Sequence, residues 1–343
     1  MNSGIKNVLK FLLFLGIGVG LVYLIVRKIT PEEWTNIKQA AINANYFWVG
    51  VALIIGVISH ILRALSWRLL IEPIDKKPGL ANTFCAVILG YMASYAFPRI
   101  GEVSKCGVLS KYEKISFAGL VGTGIVQRVV DVLFMLLFMV IMIIMNLNSK
   151  VYTLVKTKGS AFISDKWESA RHINPVILIV IALVLIVGTW FVYKKKDTLF
   201  SAVWKFIKNF WEGLKSVGKL KNPLLFWAYS LGIWIMYLLM VYVCFFCISE
   251  TSHLTLSDAL IVLMFGTVGM IVPTPGGMGA YQYLVKSALV SILLISPTNG
   301  FTFAWIMWGS QLILIVFLGL LSLILLPIIN KDDKTGIHQV ENI

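Results

Sequence analysis

The stretch VPTPGGMGAYQYLVK, residues 272 to 286, interrupts a strongly apolar part of the chain with two prolines and three glycines. Apolar sequence precedes it from residue 257, and apolar sequence resumes at 284 to 295. Proline removes a backbone donor and glycine admits unusual dihedral angles, so the stretch predicts a broken helix. At membrane depth such a break is tolerated only where protein or a wet cavity satisfies the backbone. We therefore predict a re-entrant pair of half-helices here.

A second interruption lies earlier in the chain, in the stretch FPRIGEVSKCGVLSKYE at residues 97 to 113. Apolar sequence at 81 to 97 runs into it, and apolar sequence resumes at 115 to 126. The proline and glycine near its start again favour a break, for the same backbone reasons. We predict a second re-entrant pair, with one half-helix on each side of the polar stretch.

The two interruptions occupy corresponding places in an internal repeat. A shift of 176 residues places Gly90 on Gly266 and brings Pro98 to within two residues of both Pro273 and Pro275. The flanking apolar segments superimpose under the same shift, 47 to 65 on 223 to 241 and 129 to 147 on 305 to 323. Inverted repeats with helices broken in corresponding places indicate a transport site near the middle of the membrane.

The composition supports a membrane protein throughout. The 343 residues are 58% apolar and only 13% charged, with a mean hydropathy of +0.85, which is far from the composition of soluble domains. Full spans are predicted at 8 to 26, 47 to 65, 129 to 147, 174 to 193, 223 to 249 and 300 to 329. The predicted fold class is an all-α polytopic membrane protein with about six full transmembrane helices plus two broken re-entrant hairpins in an inverted repeat.

These segments divide the chain into one transmembrane domain, at residues 1 to 335, and a polar cytoplasmic tail at 331 to 343. Within the domain we predict a first helix with an outer loop at 1 to 46, repeat 1 at 47 to 147, a linking helix with a basic amphipathic interfacial helix at 148 to 222, and repeat 2 at 223 to 330.

The basic residues set the predicted orientation. Thirty Lys and Arg against sixteen Asp and Glu give a net charge of +14. Twenty-one of the cations fall in segments that the six-span topology places inside, and eight fall in outside segments. Because basic residues favour the cytoplasmic side, both termini are predicted to be cytoplasmic. In a membrane protein, an excess of basic residues normally reflects cytoplasmic loops and contact with anionic lipid, so no nucleic acid partner is expected.

The first interruption carries the strongest candidate site. Arg99, Glu102 and Lys105 are spaced three apart, so they share one face of a helix that starts after Pro98. An arginine at this depth can hold a phosphate in bidentate fashion, and a nearby carboxylate can pair with it or carry a coupling proton. Pro98 and Gly101 are assigned a structural role. The alternative is a solvated loop with a local ion pair.

Two further groups complete the candidate residues. Arg128 and Asp131 lie at i and i+3 in apolar sequence, where they can neutralise each other and brace the first hairpin. In the second break, we expect substrate contacts from the backbone at Gly276, Gly277 and Gly279 and from the side chain of Gln282, with Pro273 and Pro275 structural. His60 and Arg63, near the inner end of the second span, are expected to pack and to snorkel toward lipid phosphates.

Several patterns of known chemistry are absent from the sequence. There is no GxxxxGK[ST], no HExxH and no GxSxG, so no ATPase, zinc peptidase or serine hydrolase chemistry is indicated. The CxxC at Cys244 and Cys247 lies inside an apolar run and is interpreted as helix packing. No catalytic residue, metal or cofactor is predicted.

With these motifs in view, the chain resembles the transmembrane region of lysylphosphatidylglycerol synthases and stand-alone bacterial membrane proteins of that family, over residues 10 to 330. The matching motifs are Arg63-x-x-x-Trp67-Arg68-x-Leu70, Pro98-Arg99-x-Gly101-Glu102, Arg128-x-x-Asp131 and Pro273-x-Pro275-Gly276-Gly277-Met278-Gly279. The resemblance implies a flippase region of the bacterial cytoplasmic membrane without the synthase domain. Gln127 and Gln282 stand where the family commonly has acidic residues, which weakens the expectation of a cationic lipid substrate.

The leading prediction is therefore a lipid flippase or transporter that moves a phospholipid or related polar lipid between leaflets. One alternative is a membrane-embedded lipid-modifying enzyme that uses Glu102 or Asp131. Another is a scaffold that presents the amphipathic helix to an envelope-lipid biosynthetic partner. Substitution of Arg99 or Glu102 would separate these functions, because a scaffold should tolerate the change.

Overall fold

The computed structural model describes residues 31–96, 100–146, 217–218 and 220–331. Throughout these ranges the regular secondary structure is helical, and they contain no strand. The predicted spans at 8 to 26 and 174 to 193 lie outside the described residues, as do the predicted amphipathic segment up to residue 216 and the tail from 332. The all-α prediction is confirmed for the described part of the chain.

Nine α-helices are described. They are α1 (Pro31–Ile42), α2 (Tyr46–Ile71), α3 (Leu80–Ala96), α4 (Gly101–Glu113), α5 (Phe117–Asn146), α6 (Pro223–Cys244), α7 (Leu256–Ile271), α8 (Ala280–Ser287) and α9 (Pro297–Ile329). Among the described residues, α2, α5, α6 and α9 are long and apolar enough to cross a membrane. Helices α3 and α7 are apolar but shorter, as expected for the first arms of broken hairpins.

The second arm of the first hairpin is not where the hydropathy pattern placed it. Of residues 115 to 126, predicted as that arm, 117 to 126 belong to α5, which runs unbroken for 30 residues. The arm is α4, inside the stretch predicted to be the polar break. Hydropathy misses α4 because its buried face includes Lys105, whose charge is paired within the protein. Lys114, in a left-handed conformation with φ 59°, ends α4.

Helices α2 and α6 pack against each other in opposite directions. At one end of the pair, the Asn45 amide donates to the Cys247 carbonyl oxygen at 2.8 Å. At the other end, the Lys221 ammonium lies 3.1 Å from a carboxylate oxygen of Glu72. Each of these helices begins a series of one long, two short and one long helix, α2 to α5 and α6 to α9. The first helices of the two series therefore run antiparallel.

The two series also exchange contacts. Helix α3 packs against α9, the last helix of the other series, and α7 packs against α5 in the corresponding way. Glycines allow the short helices of each series to cross closely. A Cβ at Gly90 would lie 2.8 Å from the Gly101 carbonyl oxygen, and one at Gly269 would lie 2.7 Å from the Tyr281 Cα. Side chains at these positions would push the arms apart.

The predicted break after α7 is confirmed. The chain leaves α7 at Ile271 and becomes helical again in α8, at Ala280. Between them, Gly276, Gly277 and Gly279 have φ values of 56°, 69° and 83°, which residues with a Cβ rarely adopt. In the first hairpin α3 ends at Ala96 and α4 begins at Gly101, but Pro98 and Arg99 lie outside the described residues.

Glu250 joins the loop after α6 to the start of α9. Its carboxylate accepts hydrogen bonds from the Ser296 amide at 2.8 Å, the Ser296 hydroxyl at 2.6 Å and the Asn299 side chain. Partial burial of Glu250 raises its pKa, but these hydrogen bonds outweigh burial and lower the pKa below the ordinary 4.5. The carboxylate thus fastens the N-terminus of α9 while it is ionised.

We expect Glu250→Gln to lower the free energy of unfolding at neutral pH by about 1 kcal/mol, because charge-assisted hydrogen bonds are lost. A carboxylate with a lowered folded pKa stabilises above its unfolded pKa, and the stabilisation disappears as pH falls through the folded pKa. The difference in stability between variant and wild type, measured by thermal unfolding in detergent, should therefore be constant from about pH 7 to about pH 6 and should shrink as the pH falls below the ordinary pKa of 4.5. Asp75→Asn, on an exposed loop, is the control. A stability difference that did not shrink at low pH would contradict the conclusion that ionised Glu250 stabilises the start of α9.

Candidate functional site

Five charged side chains from α2, α4 and α5 form a continuous series of ion pairs, which we call the charged cluster. Its members are Arg63, Glu102, Lys105, Arg128 and Asp131. In order, Lys105 Nζ lies 2.8 Å from Glu102 Oε2, and Arg128 contacts Glu102 Oε1 through Nη2 and through Nε, the latter at 2.7 Å. Arg128 Nη1 lies 3.3 Å from Asp131 Oδ2, and Arg63 Nη1 lies 2.5 Å from Asp131 Oδ1. Charges alternate along the series.

Both ends of the charged cluster are withdrawn from the protein surface, whereas Arg128 in the middle is half exposed. The side chains of Arg63 and Lys105 are each 7% exposed, and that of Asp131 is 18% exposed. Lys105 Nζ also donates to the side-chain Oε1 of Gln127 at 3.0 Å and lies 4.6 Å from the centre of the Trp67 ring. Buried charges persist only when they are paired and hydrogen-bonded, so these contacts account for the cluster. Three cations against two carboxylates leave it with one excess positive charge.

A cavity of about 590 Å³ lies beside the charged cluster and between the two helix series. Arg63, Arg128 and Asp131 contribute to one side of its lining. Gly276, from the second break, contributes from the other series. Other lining residues used below are His60, Tyr91, Tyr95, Tyr237, Tyr281 and Trp308. The cavity therefore combines a few charged groups with a mainly aromatic and aliphatic wall, which is typical of sites for amphipathic ligands.

The cavity reaches the apolar surface of the protein. Val132 on α5 and Met270 and Ile271 on α7 line it and are exposed apolar residues. Helices α5 and α7 pack against each other, so the opening lies along their contact. A smaller groove of about 220 Å³ runs between α4 and α5, and its wall is almost wholly apolar. The groove and the cavity share Arg128 and Val132, so the two spaces adjoin.

The structure brings together most of the residues predicted at the first break. Glu102 and Lys105 face the same side of α4, as their spacing predicted, and both meet residues of α5. The predicted pairing of Arg128 with Asp131 is present, and both residues line the cavity. Gly101 is buried at the crossing of α3 and α4. Pro98 and Arg99 cannot be placed, since they lie outside the described residues.

The residues predicted at the second break separate into two groups. Gly276 lines the cavity, and its carbonyl oxygen accepts from the Trp308 indole at 2.7 Å. Gly277, Gly279 and Gln282 are buried away from it. The side-chain Oε1 of Gln282 accepts from the Gly279 backbone amide at 2.7 Å and so caps α8. Pro273 and Pro275 lie in the turn that precedes α8.

Sequence reasoning undervalued the residues contributed by α2. Arg63 was expected to snorkel, but its side chain is buried and its Nη1 and Nη2 contact Asp131 and the Tyr237 hydroxyl, at 2.5 and 3.4 Å. His60, one turn earlier, lines the same cavity. Both ionisable residues lie within a 26-residue apolar helix, and that location was the signal that could have identified them.

Comparison with known proteins agrees with this architecture. A family model described as the lysylphosphatidylglycerol synthase TM region matches residues 7–319. The comparisons with curated proteins and with solved structures found no match. The matched range includes every residue of the charged cluster and of the cavity lining. Together with the apolar helices α2, α5, α6 and α9, the match shows that this chain is an integral membrane protein and belongs to the lysylphosphatidylglycerol synthase transmembrane-region family.

Proposed function

We propose that the protein is a lipid flippase of the cytoplasmic membrane, which moves a phospholipid or related polar lipid between leaflets. The observation that carries the proposal is the cavity of about 590 Å³, which joins a partly buried charged cluster to an exposed apolar opening within a membrane domain. A polar head group needs charged partners when it leaves water, whereas acyl chains need an apolar path. The cavity and its opening provide both.

In this proposal the head group enters the cavity beside Arg63 and Arg128, while the acyl chains remain along the apolar surface. The smaller groove between α4 and α5 can accept part of a chain because its wall is apolar and it adjoins the cavity at Arg128. Ion pairing of Arg128 with Glu102 and Asp131 holds its guanidinium at the junction of the two spaces. A lipid could therefore keep its polar and apolar parts in matching surroundings while it crosses.

We further infer that α2 to α5 and α6 to α9 form an inverted repeat, within a topology of six spans and two re-entrant hairpins and with both termini inside. Three observations support the repeat: the matching order of helices, the antiparallel packing of α2 on α6, and the reciprocal packing of α3 on α9 and α7 on α5. Two inverted halves can exchange conformations, and the cavity between them would then face each leaflet in turn.

The ion pairs of Glu102 and Asp131 favour transport over catalysis as the function of the protein. Glu102 is held by Lys105 and Arg128, and Asp131 is held by Arg63 and Arg128. A general base needs a carboxylate that can accept a proton from the substrate at hydrogen-bond distance. Because both carboxylates already have two cationic partners, we infer that they position guanidinium groups and do not perform acid or base chemistry. We accordingly propose a protein that is not an enzyme.

Substitution of Arg128 tests the proposed function. The Arg128 side chain is 50% exposed, so Arg128→Gln should preserve folding while removing one cation from the cavity. We expect the rate of leaflet exchange to fall about tenfold or more, because hydrogen bonds to charged groups contribute more than neutral ones. The measurement uses the purified full-length chain in liposomes containing fluorescent phospholipid, with dithionite quenching of the outer leaflet.

The matched control is Arg68→Gln on α2. Arg68 donates to the Pro78 carbonyl oxygen at 2.7 Å, but it does not line the cavity. The Arg68→Gln variant should therefore exchange lipid between leaflets at the wild-type rate. If folded wild-type protein exchanged anionic, zwitterionic and aminoacylated lipids no faster than empty liposomes, the proposal of lipid movement would fail. If Arg68→Gln and Arg128→Gln lowered the rate of leaflet exchange equally, the exchange would not depend on the cavity.

A further inference from the structure

His60 is a buried polar residue whose hydrogen-bonding capacity is unused within the described part of the chain. The residue is 7% exposed and lines the cavity on the same helix as Arg63. Neither Nδ1 nor Nε2 has a hydrogen-bond partner among the described residues. Its ring lies against Tyr91, with centroids 5.2 Å apart, which fixes the imidazole at the cavity wall. Since an unpaired buried polar group is costly, this arrangement indicates a ligand that completes it.

Arg63 presents a second unused donor at the same wall. Its Nη1 and Nη2 are engaged by Asp131 and Tyr237, but Nε is buried and has no hydrogen-bond partner among the described residues. His60 and Arg63 are separated by three positions, so their side chains lie on one face of α2. An imidazole supplies at least one N–H in either tautomer, and a guanidinium Nε always carries one. Two unused donors therefore lie buried beside the cavity, within one turn of α2.

Both oxygens of the carboxylate that lines the cavity are already paired with cations. Asp131 is the one carboxylate among the described lining residues, and its two oxygens contact Arg63 and Arg128. An ammonium group of a ligand would find no free carboxylate among those residues and would meet two guanidinium groups. A phosphodiester would instead receive donors from both His60 and Arg63 in a region of excess positive charge. Electrostatic complementarity and hydrogen bonding thus both favour a negatively charged ligand.

From this geometry we propose that the head-group site selects an anionic phosphodiester lipid without an ammonium group, and that His60 and Arg63 Nε donate to its phosphate oxygens. The proposal rests on the lipid-binding function inferred above and specifies its substrate class. His60 is a specificity residue in this arrangement: it contacts the phosphate, while Asp131, already paired with two guanidinium groups, offers a cationic amine little attraction. Zwitterionic and aminoacylated lipids should bind less well for that reason.

The test measures binding separately from transport. Full-length protein in detergent is heated with short-chain phosphatidylglycerol, phosphatidylcholine or lysyl-phosphatidylglycerol, and the stabilisation of each complex gives an apparent affinity. We expect phosphatidylglycerol to bind at least tenfold more tightly than the other two lipids. His60→Phe keeps a ring against Tyr91 but removes both nitrogens, so we expect it to weaken phosphatidylglycerol binding about tenfold.

Two further variants separate ligand contact from packing. His60→Gln retains a side-chain donor and should bind phosphatidylglycerol better than His60→Phe, whereas a packing role would favour phenylalanine over glutamine. His253→Gln, at an exposed loop histidine, should bind as wild type does. Equal or tighter binding of either other lipid, unchanged binding by His60→Phe, or no binding of any lipid would overturn the proposal. Selective binding without leaflet exchange would support the site and contradict the flippase function.

Discussion

Replacing Asp131 with asparagine is expected to lower the free energy of unfolding by about 3 to 5 kcal/mol and to stop lipid exchange. The Arg63 side chain is 7% exposed, and Asp131 provides its 2.5 Å ion pair. Asparagine would keep one hydrogen-bond acceptor for Arg63 but would remove the negative charge, so the buried guanidinium would lose its anionic partner. Denaturant unfolding in detergent micelles measures the first effect, and the liposome assay measures the second.

A double substitution distinguishes the structural from the functional contribution of this pair. Arg63→Met with Asp131→Leu removes both charges and fills the space with apolar atoms, so most of the lost stability should return. Arg128 would keep its contact with Glu102 and would not become an unpaired charge. Lipid exchange should remain absent, because one of the two cavity guanidinium groups and a phosphate donor are gone. Recovery of exchange along with stability would mean that the pair is purely structural.

Glu72→Gln serves as the control for loss of a carboxylate in an ion pair. Glu72 pairs with Lys221, whose side chain is 72% exposed, at the end of α2 outside the membrane span. The hydrogen bond from Lys221 lowers the pKa of Glu72, but solvent screens this pair. We expect little change in stability or exchange. An unfolding penalty as large as that of Asp131→Asn would show that burial is not the reason for the difference.

Alanine at Gly101 is the second substitution with a large expected effect. A Cβ there would lie 2.3 Å from the Gly90 carbonyl oxygen and 2.0 Å from the Ser94 hydroxyl oxygen. Because one of these atoms is backbone, α3 and α4 must move apart, at an expected cost of about 3 kcal/mol. The movement would also shift Glu102 and Lys105 relative to α5. We therefore expect both unfolding free energy and lipid exchange to fall.

Gly107→Ala is the matched control on the same helix. A Cβ at Gly107 meets no atom within 4 Å, and the residue is exposed. Replacing an unhindered helical glycine by alanine usually stabilises by about 0.5 to 1 kcal/mol, since alanine loses less backbone entropy. Opposite signs of the two stability changes are therefore expected. Similar changes at both positions would show that α3 and α4 do not cross as closely as described.

Much of the architecture was accessible from local sequence. The lengths of the apolar runs predicted the helices that became α2, α6 and α9, and the cluster of prolines and glycines predicted the break between Ile271 and Ala280. These features follow from hydrophobic length and backbone chemistry, which neighbouring residues determine. The spacing of Arg128 and Asp131 likewise predicted their pairing.

Local sequence did not predict the second helix of the first hairpin. Its second arm, α4, carries charged residues, and a hydropathy pattern assigns such a segment to a loop. Only the packing of α4 on α3 and α5 shows that Glu102 and Lys105 are paired and partly or fully buried. The same holds for Gln282, which a linear motif placed with the substrate and the fold places at the cap of α8.

The sequence by itself determined the class of protein, the helical breaks and the local ion pairs, because each depends on residues within a few turns of one another. Tertiary structure decided which charges meet. Arg63 and Asp131 are separated by 68 positions, and Gly276 reaches the same cavity from the second helix series. Hydropathy and helical spacing describe only neighbouring residues, so they cannot indicate which distant residues form a pair. Burial sets the energetic importance of a charge, and only the packing of helices determines burial.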